Sequence, residues 1–159
     1  MLERLAQTPT LWVAFIITVL ITAAFPVASS MWGISFIDAI SEPGEVRQAV
    51  AALTPDQKVI HAWITATLDV AYPLAYGALF AGSAYRFFPK IGKALALTIL
   101  VVVPADLLEG VVQVLALTDT VDLLAAKAVL TPLKTLLFLL GFAATVIGWV
   151  TWLIGRVRG

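Results

Sequence analysis

Four long apolar runs limit what this chain can become. They extend from about Leu11 to Ala28, Val59 to Tyr85, Ile91 to Leu117, and Leu130 to Ile154. A helix needs about 20 mostly apolar residues to cross a bilayer, and each run meets that length or nearly so. The reading is an all-α integral membrane four-helix bundle, a single transmembrane domain over residues 1–159 with a short interfacial helix in its first outer loop. Hydrophobic residues make up 61% of the chain and charged ones only 13%, against roughly 25% charged in soluble domains. So small a chain cannot hide that much apolar surface in one soluble core. A disordered chain, a nucleic-acid binder and an ordinary cytosolic enzyme are excluded. The absence of cysteine excludes disulfides and thiolate metal sites, and a single histidine excludes a bis-histidine haem within one chain. No cofactor and no metal are implied.

The net charge is zero, but the charges are not evenly spread. Arg4, Arg86, Lys90, Lys93, Arg156 and Arg158 fall on one side of the four runs, against Glu3 alone. Asp38, Glu42, Glu45, Asp56, Asp119 and Asp122 fall on the other, against Arg47, Lys58 and Lys127. Lys and Arg favour the cytoplasmic side of short loops, so both termini are expected in the cytoplasm and the protein in a cell inner membrane. Trp12, Tyr85, Phe87, Phe88, Trp149 and Trp152 then sit near the inner interface, and Trp32 and Trp63 near the outer one, the depth that amphipathic rings prefer. A cleaved signal peptide is the other reading of the first run, which ends in the small residues Val27-Ala28-Ser29. Its apolar stretch is long for that role, and Glu3 weakens its positive end.

The longest connection runs from Ser29 to Asp56. Trp32, Ile34, Phe36, Ile37 and Ile40 form an apolar patch that reads as a segment lying at the interface. Ser41-Glu42-Pro43-Gly44-Glu45 reads as a helix start, with Val46, Val50 and Leu53 on one face, so the loop should cap the outer end of the bundle. Thr54-Pro55-Asp56-Gln57 is a capping box that should open the second long helix. The last helical segment is expected to start within Thr118 to Asp122, and Pro132 should kink it. Pro73 and Pro104 each free a backbone carbonyl one turn earlier, at Asp69 and Leu100. Gly77, Gly82, Gly110, Gly141 and Gly148 would allow helices to approach closely, though none forms a GxxxG pair.

Charged groups inside the runs carry the functional argument, because a central Asp or Lys costs about 2.5–3.5 kcal/mol to insert. Asp69, Tyr72 and Tyr76 share one face of the second helix. Asp106, Glu109 and Gln113 share one face of the third, and Lys127, Thr131 and Lys134 one face of the fourth. Thr18, Thr22 and Ser29 do the same on the first. Turned inward, the stripes would enclose a polar pocket. At about 1.5 Å per residue, Asp69, Asp106, Glu109 and Lys134 lie about 20–33 Å from the inner end, so the pocket should open outward. The candidate ligand-binding residues are Asp69, Tyr72, Tyr76, Asp106, Glu109, Gln113 and Lys134, the tyrosines donating to whichever carboxylate is charged. The bland alternative is structural glue between helices. Lys134 read that way snorkels to the interface. Lys127 is read as loop charge and His61 as an interfacial residue.

The pattern Asp69-x-x-Tyr72-Pro73-x-x-Tyr76-Gly77, followed by Asp106-x-x-Glu109-Gly110, resembles a group of small bacterial four-helix inner-membrane proteins with no assigned activity. In that group an Asn is expected where this chain has Gly110. The resemblance implies the architecture and a bacterial source. The layout is also similar to lipoprotein signal peptidase, whose two catalytic aspartates sit near the outer face of four spans. That family's motifs hold asparagines beside the aspartates, and this chain has no asparagine. The expected function is binding of a small ligand, cation, proton or small amphiphile. The alternatives are an accessory subunit with a membrane-protein partner, and an intramembrane hydrolase built on a carboxylate dyad. The lipid bilayer is the other expected partner.

Overall fold

The computed structural model describes residues 1–158, and its regular structure is entirely helical among them. A short turn, α1 (Leu2–Leu5), precedes α2 (Thr8–Trp32). A loop carries α3 (Pro43–Ala52), and α4 (Pro55–Phe87) follows. After a tight turn come α5 (Gly92–Leu100) and α6 (Val102–Leu117). A 3-10 turn (Leu124–Ala126) leads into α7 (Lys127–Arg158). Four helical stretches, with α5 and α6 counted as one, are long and apolar enough to cross a membrane. The stretches alternate in direction. Residue 1, the 88–91 turn and residue 152 lie at one end, called here the terminal end; residues 33–54 and 118–126 lie at the other, the loop end.

Helix α4 is the spine. Helices α2, α5, α6 and α7 all pack on it, while α2 has no substantial packing against α5, α6 or α7. Its start is the expected capping box: the Thr54 hydroxyl accepts from the Gln57 amide and the Gln57 side chain accepts from the Thr54 amide. Gln57 also donates to the carbonyl of Gly33 at 2.9 Å, which ties the end of α2 to the start of α4. Gly33 takes a left-handed conformation (φ 60°) that ends α2, a backbone state glycine adopts at no steric cost. With 33 residues, α4 is about 50 Å long and exceeds a bilayer core of about 30 Å.

Proline shapes the third stretch. Pro104 has no N–H to offer the Leu100 carbonyl, and the helix breaks at Val101, whose amide turns back to Thr98. Pro26, Pro73 and Pro132 are accommodated within continuous helices. Close approach relies on small residues at two clear points. A Cβ at Gly82 would collide with the Leu5 backbone carbonyl, and one at Gly141 with the Phe80 ring. Gly110 differs: a Cβ there would meet only ordinary van der Waals contact.

Two apolar clusters are separated by a polar layer. Toward the terminal end, Leu11, Tyr76, Leu79, Phe80, Ile99 and Val102 pack together. Trp149 packs edge-on against Phe87 and at a tilt against Trp12, at centroid distances of 5.2 and 6.1 Å. At the loop end, Ile37, Val46, Val50, Val112, Leu117 and Leu124 form the second cluster.

The loop end departs from expectation in two ways. The helix in the first loop is present, and the Glu42 carboxylate caps it by accepting from the Glu45 amide at 2.6 Å. The apolar segment before it does not lie flat at an interface. Ile34 and Ile37 are each 1% exposed, and Ile37 joins the core that the amphipathic face of α3 supplies. Residues 118–122 are turn rather than helix. Asp119 has φ 50°, and the Asp122 side chain accepts from the Leu124 amide, so regular α-helix begins only at Lys127.

Candidate functional site

The polar layer is assembled by α4, α6 and α7, each contributing the stripe that its helical spacing dictates. On α6, Asp106 and Glu109 are 5% and 0% exposed. The Tyr76 hydroxyl on α4 donates to Asp106 Oδ2 at 2.6 Å. Lys134 Nζ on α7 donates to Asp106 Oδ1 at 3.0 Å and pairs with Glu109 Oε2 at 2.6 Å. Glu109 Oε1 also accepts from the Lys127 ammonium and the Thr131 hydroxyl. This is a closed network of two carboxylates, two ammonium groups and two hydroxyls. Burying isolated charge is prohibitive, whereas paired and hydrogen-bonded charge can be tolerated.

Two lysine expectations are corrected by this geometry. Lys127 is not loop charge: it is fully buried against Glu109. Lys134 does not snorkel: it bridges Asp106 and Glu109 across the α6–α7 contact. The reason is spacing. Lys127, Thr131 and Lys134 lie at i, i+4 and i+7, so a helix that turns one inward turns all three inward. His61 is fully buried within the bundle, edge-on to Phe36 at 5.2 Å, with neither ring nitrogen hydrogen-bonded among the described residues.

Beside the network is a cavity of about 320 Å³. Asp38, Asp69, Asp106 and Lys134 supply its charge, and Tyr72, Tyr76, Phe25, Phe36 and Phe138 its aromatic wall. Thr135 and Leu139 of α7 are its exposed lining residues, so its mouth lies between α2 and α7, under a roof made by Phe36 and Asp38. The depth argument from the sequence placed the acids in the half near the loops, and the loop expected to cap that end supplies the roof, though its part in lining the cavity was not foreseen. Asp38 accepts from Gln113 Nε2 at 3.2 Å. Among the described residues, neither Asp38 nor Asp69 has a cation within ion-pairing reach.

Five of the seven sequence candidates therefore line this cavity: Asp69, Tyr72, Tyr76, Asp106 and Lys134. Glu109 lies behind it in the ion network, and Gln113 lies further toward the loop end, holding Asp38. Tyr72 does not serve a carboxylate; its hydroxyl lies 3.0 Å from that of Thr22 on α2. Of the α2 stripe, only Thr22 reaches across. Thr18 bonds its own helix, and Ser29 bonds the Ile34 carbonyl. Sequence reasoning missed Asp38 and Lys127. The spacing of Lys127 to Lys134 was the signal for the second. Nothing local signals Asp38, which enters the site only because the whole loop folds over.

Outside the helices long enough to cross a membrane, two carboxyls sit below their usual range. Glu42 is lowered by the Gly44 and Glu45 amides, and Asp122 by the Arg47 guanidinium at 2.7 Å and then by the Leu124 amide. These are fastenings of the loop end rather than parts of the cavity. No family model matches the chain, no curated protein matches its sequence, and no solved structure matches its fold.

Proposed function

We propose that the chain is a multi-pass protein of a bacterial inner membrane, with its terminal end in the cytoplasm, and that its cavity binds a small cationic ligand. Orientation is supported by charge. Arg4, Arg86, Lys90, Lys93 and Arg156 gather at the terminal end, and Asp38, Glu42, Glu45, Asp56, Asp119 and Asp122 at the loop end. Binding is supported by one observation. The lysines of the polar layer are spent on Asp106 and Glu109, while Asp38 and Asp69 face the same cavity without a cation. A ligand with positive charge would complete the balance. A hydrolytic dyad of Asp69 and Asp106 is the weaker reading, because both Asp106 oxygens are already held by Tyr76 and Lys134.

Two measurements test the proposal. The chain has no cysteine, so Gln7→Cys and Glu45→Cys can be labelled singly in intact cells with an impermeant maleimide. Labelling of the second alone is expected, and labelling of the first alone would reverse the orientation. Native mass spectrometry of protein released gently from membranes, beside an Asp69→Asn variant, tests binding. A retained non-lipid mass lost in the variant is expected. A bare chain in both samples would reduce the acids to structural glue.

A further inference from the structure

Behind the aromatic wall of the cavity is a second, larger groove of about 570 Å³, between α2 and α7 toward the terminal end, with α4 as its floor. Tyr72 and Phe138 line both spaces, so cavity and groove abut at these two side chains. The groove is almost wholly apolar. Phe15, Val19, Phe142 and Val146 form its sides, and Trp12 and Trp149 meet within its lining toward the terminal end. From Thr22 to Trp12 it is about 15 Å long along α2, the reach of an extended chain of roughly a dozen carbons.

This arrangement sets a compartment rich in carboxyl groups against an apolar groove. We propose that the occupant is a single-chain amphiphile with an amine head, its ammonium between Asp38 and Asp69 and its alkyl chain between α2 and α7. The inference rests on the cationic-ligand reading above and adds the chemistry of the rest of the molecule. Charge selects the head: Lys134 is bonded to Asp106 and Glu109, so Asp38 and Asp69 are the cavity carboxyls with no lysine partner among the described residues. The lining selects the tail: the groove offers an alkyl chain almost nothing but apolar contact.

The test is titration of the full chain in detergent with radiolabelled dodecylamine, with ethylamine and dodecanol as competitors. Saturable binding is expected, weakened about tenfold or more by Asp69→Asn, which removes the head's countercharge. Val146→Trp, which fills the groove, should weaken it to a similar degree. Ethylamine should compete about a hundredfold less well, having lost the buried methylenes. If Asp69→Asn does not fold, Asp38→Asn takes its place. Equal competition by ethylamine, with no effect of Val146→Trp but loss in Asp69→Asn, would overturn the tail and leave the cationic cavity standing. Dodecanol competing as well as dodecylamine, or no saturable binding by either amine, would overturn both. A dimer that dodecylamine cannot dissociate, and that Val146→Trp abolishes, would place a second copy on the groove and overturn the amphiphile.

Discussion

Lys127 and Glu109 are both sealed completely from solvent, and each is the other's ion partner across the contact of α6 with α7. Glu109 also has Lys134, but among the described residues Lys127 has no other carboxylate within ion-pairing reach, so removing Glu109 strands Lys127. Glu109→Gln should therefore destabilise the protein by about 3–5 kcal/mol, whereas Glu109→Gln combined with Lys127→Met should cost clearly less than the sum of the two single changes. Reversible unfolding of the four proteins in mixed micelles measures the coupling. Strict additivity would show that the pair is not coupled.

Tyr76 holds Asp106 at 2.6 Å from a fully packed position between Phe80 and Phe138. Tyr76→Phe keeps that packing and removes only the hydrogen bond to a charged group. A loss of about 1.5–3 kcal/mol is expected, with the helical content unchanged. A loss no larger than that of Tyr85→Phe, whose hydroxyl makes no hydrogen bond, would show that the Asp106 bond contributes little.

His61 is buried with both ring nitrogens unpartnered. An unpaired buried polar group costs about 1–3 kcal/mol, so His61→Phe is expected to leave stability unchanged or raise it, the edge-on contact with Phe36 being kept. A fall in the melting temperature would mean that the imidazole makes an interaction through water that the ring packing does not supply.

Asp122 and Arg47 clip α3 to the turn before α7. The folded carboxyl lies below its usual range, so its contribution is present above the ordinary carboxylate pKa and is lost as pH falls through the lowered one. Amide exchange in α3 should rise as the medium is acidified through that range. Asp122→Asn should flatten this dependence, and added salt should weaken it, since both side chains are half exposed. An unaltered profile in Asp122→Asn would assign the acid sensitivity to Glu42 at the cap of α3.

The four helices were readable because apolar runs and end signals are local properties. The Thr54 cap, the Glu42 cap and the break beside Pro104 all follow from residues within one turn of each other. The shared faces of Asp106 with Glu109 and of Asp69 with Tyr76 were equally local. Which stripe meets which depends on packing that no window of sequence contains. Tyr72 turned to Thr22, Lys134 to two acids at once, and Asp38 came into the cavity from a loop 31 residues away from Asp69 along the chain. Ile37 was misplaced for the same reason: an apolar segment goes to the interface or into the bundle according to whether a partner face exists, and here α3 provides one.

The position of α4 as spine also has a consequence for the order in which a ribosome delivers the chain. Its first companion, α2, is the most apolar of the four stretches and emerges before it, while α4, the least apolar, arrives next carrying Asp69. Asp106 and Glu109 follow on α6, and the lysines that balance them are on α7, which is made after both. Until Lys127 and Lys134 are in place, every nascent chain holds acids without countercharge in its centre. A chain cut short before α7 would therefore differ in the charge balance of its centre from one that carries it.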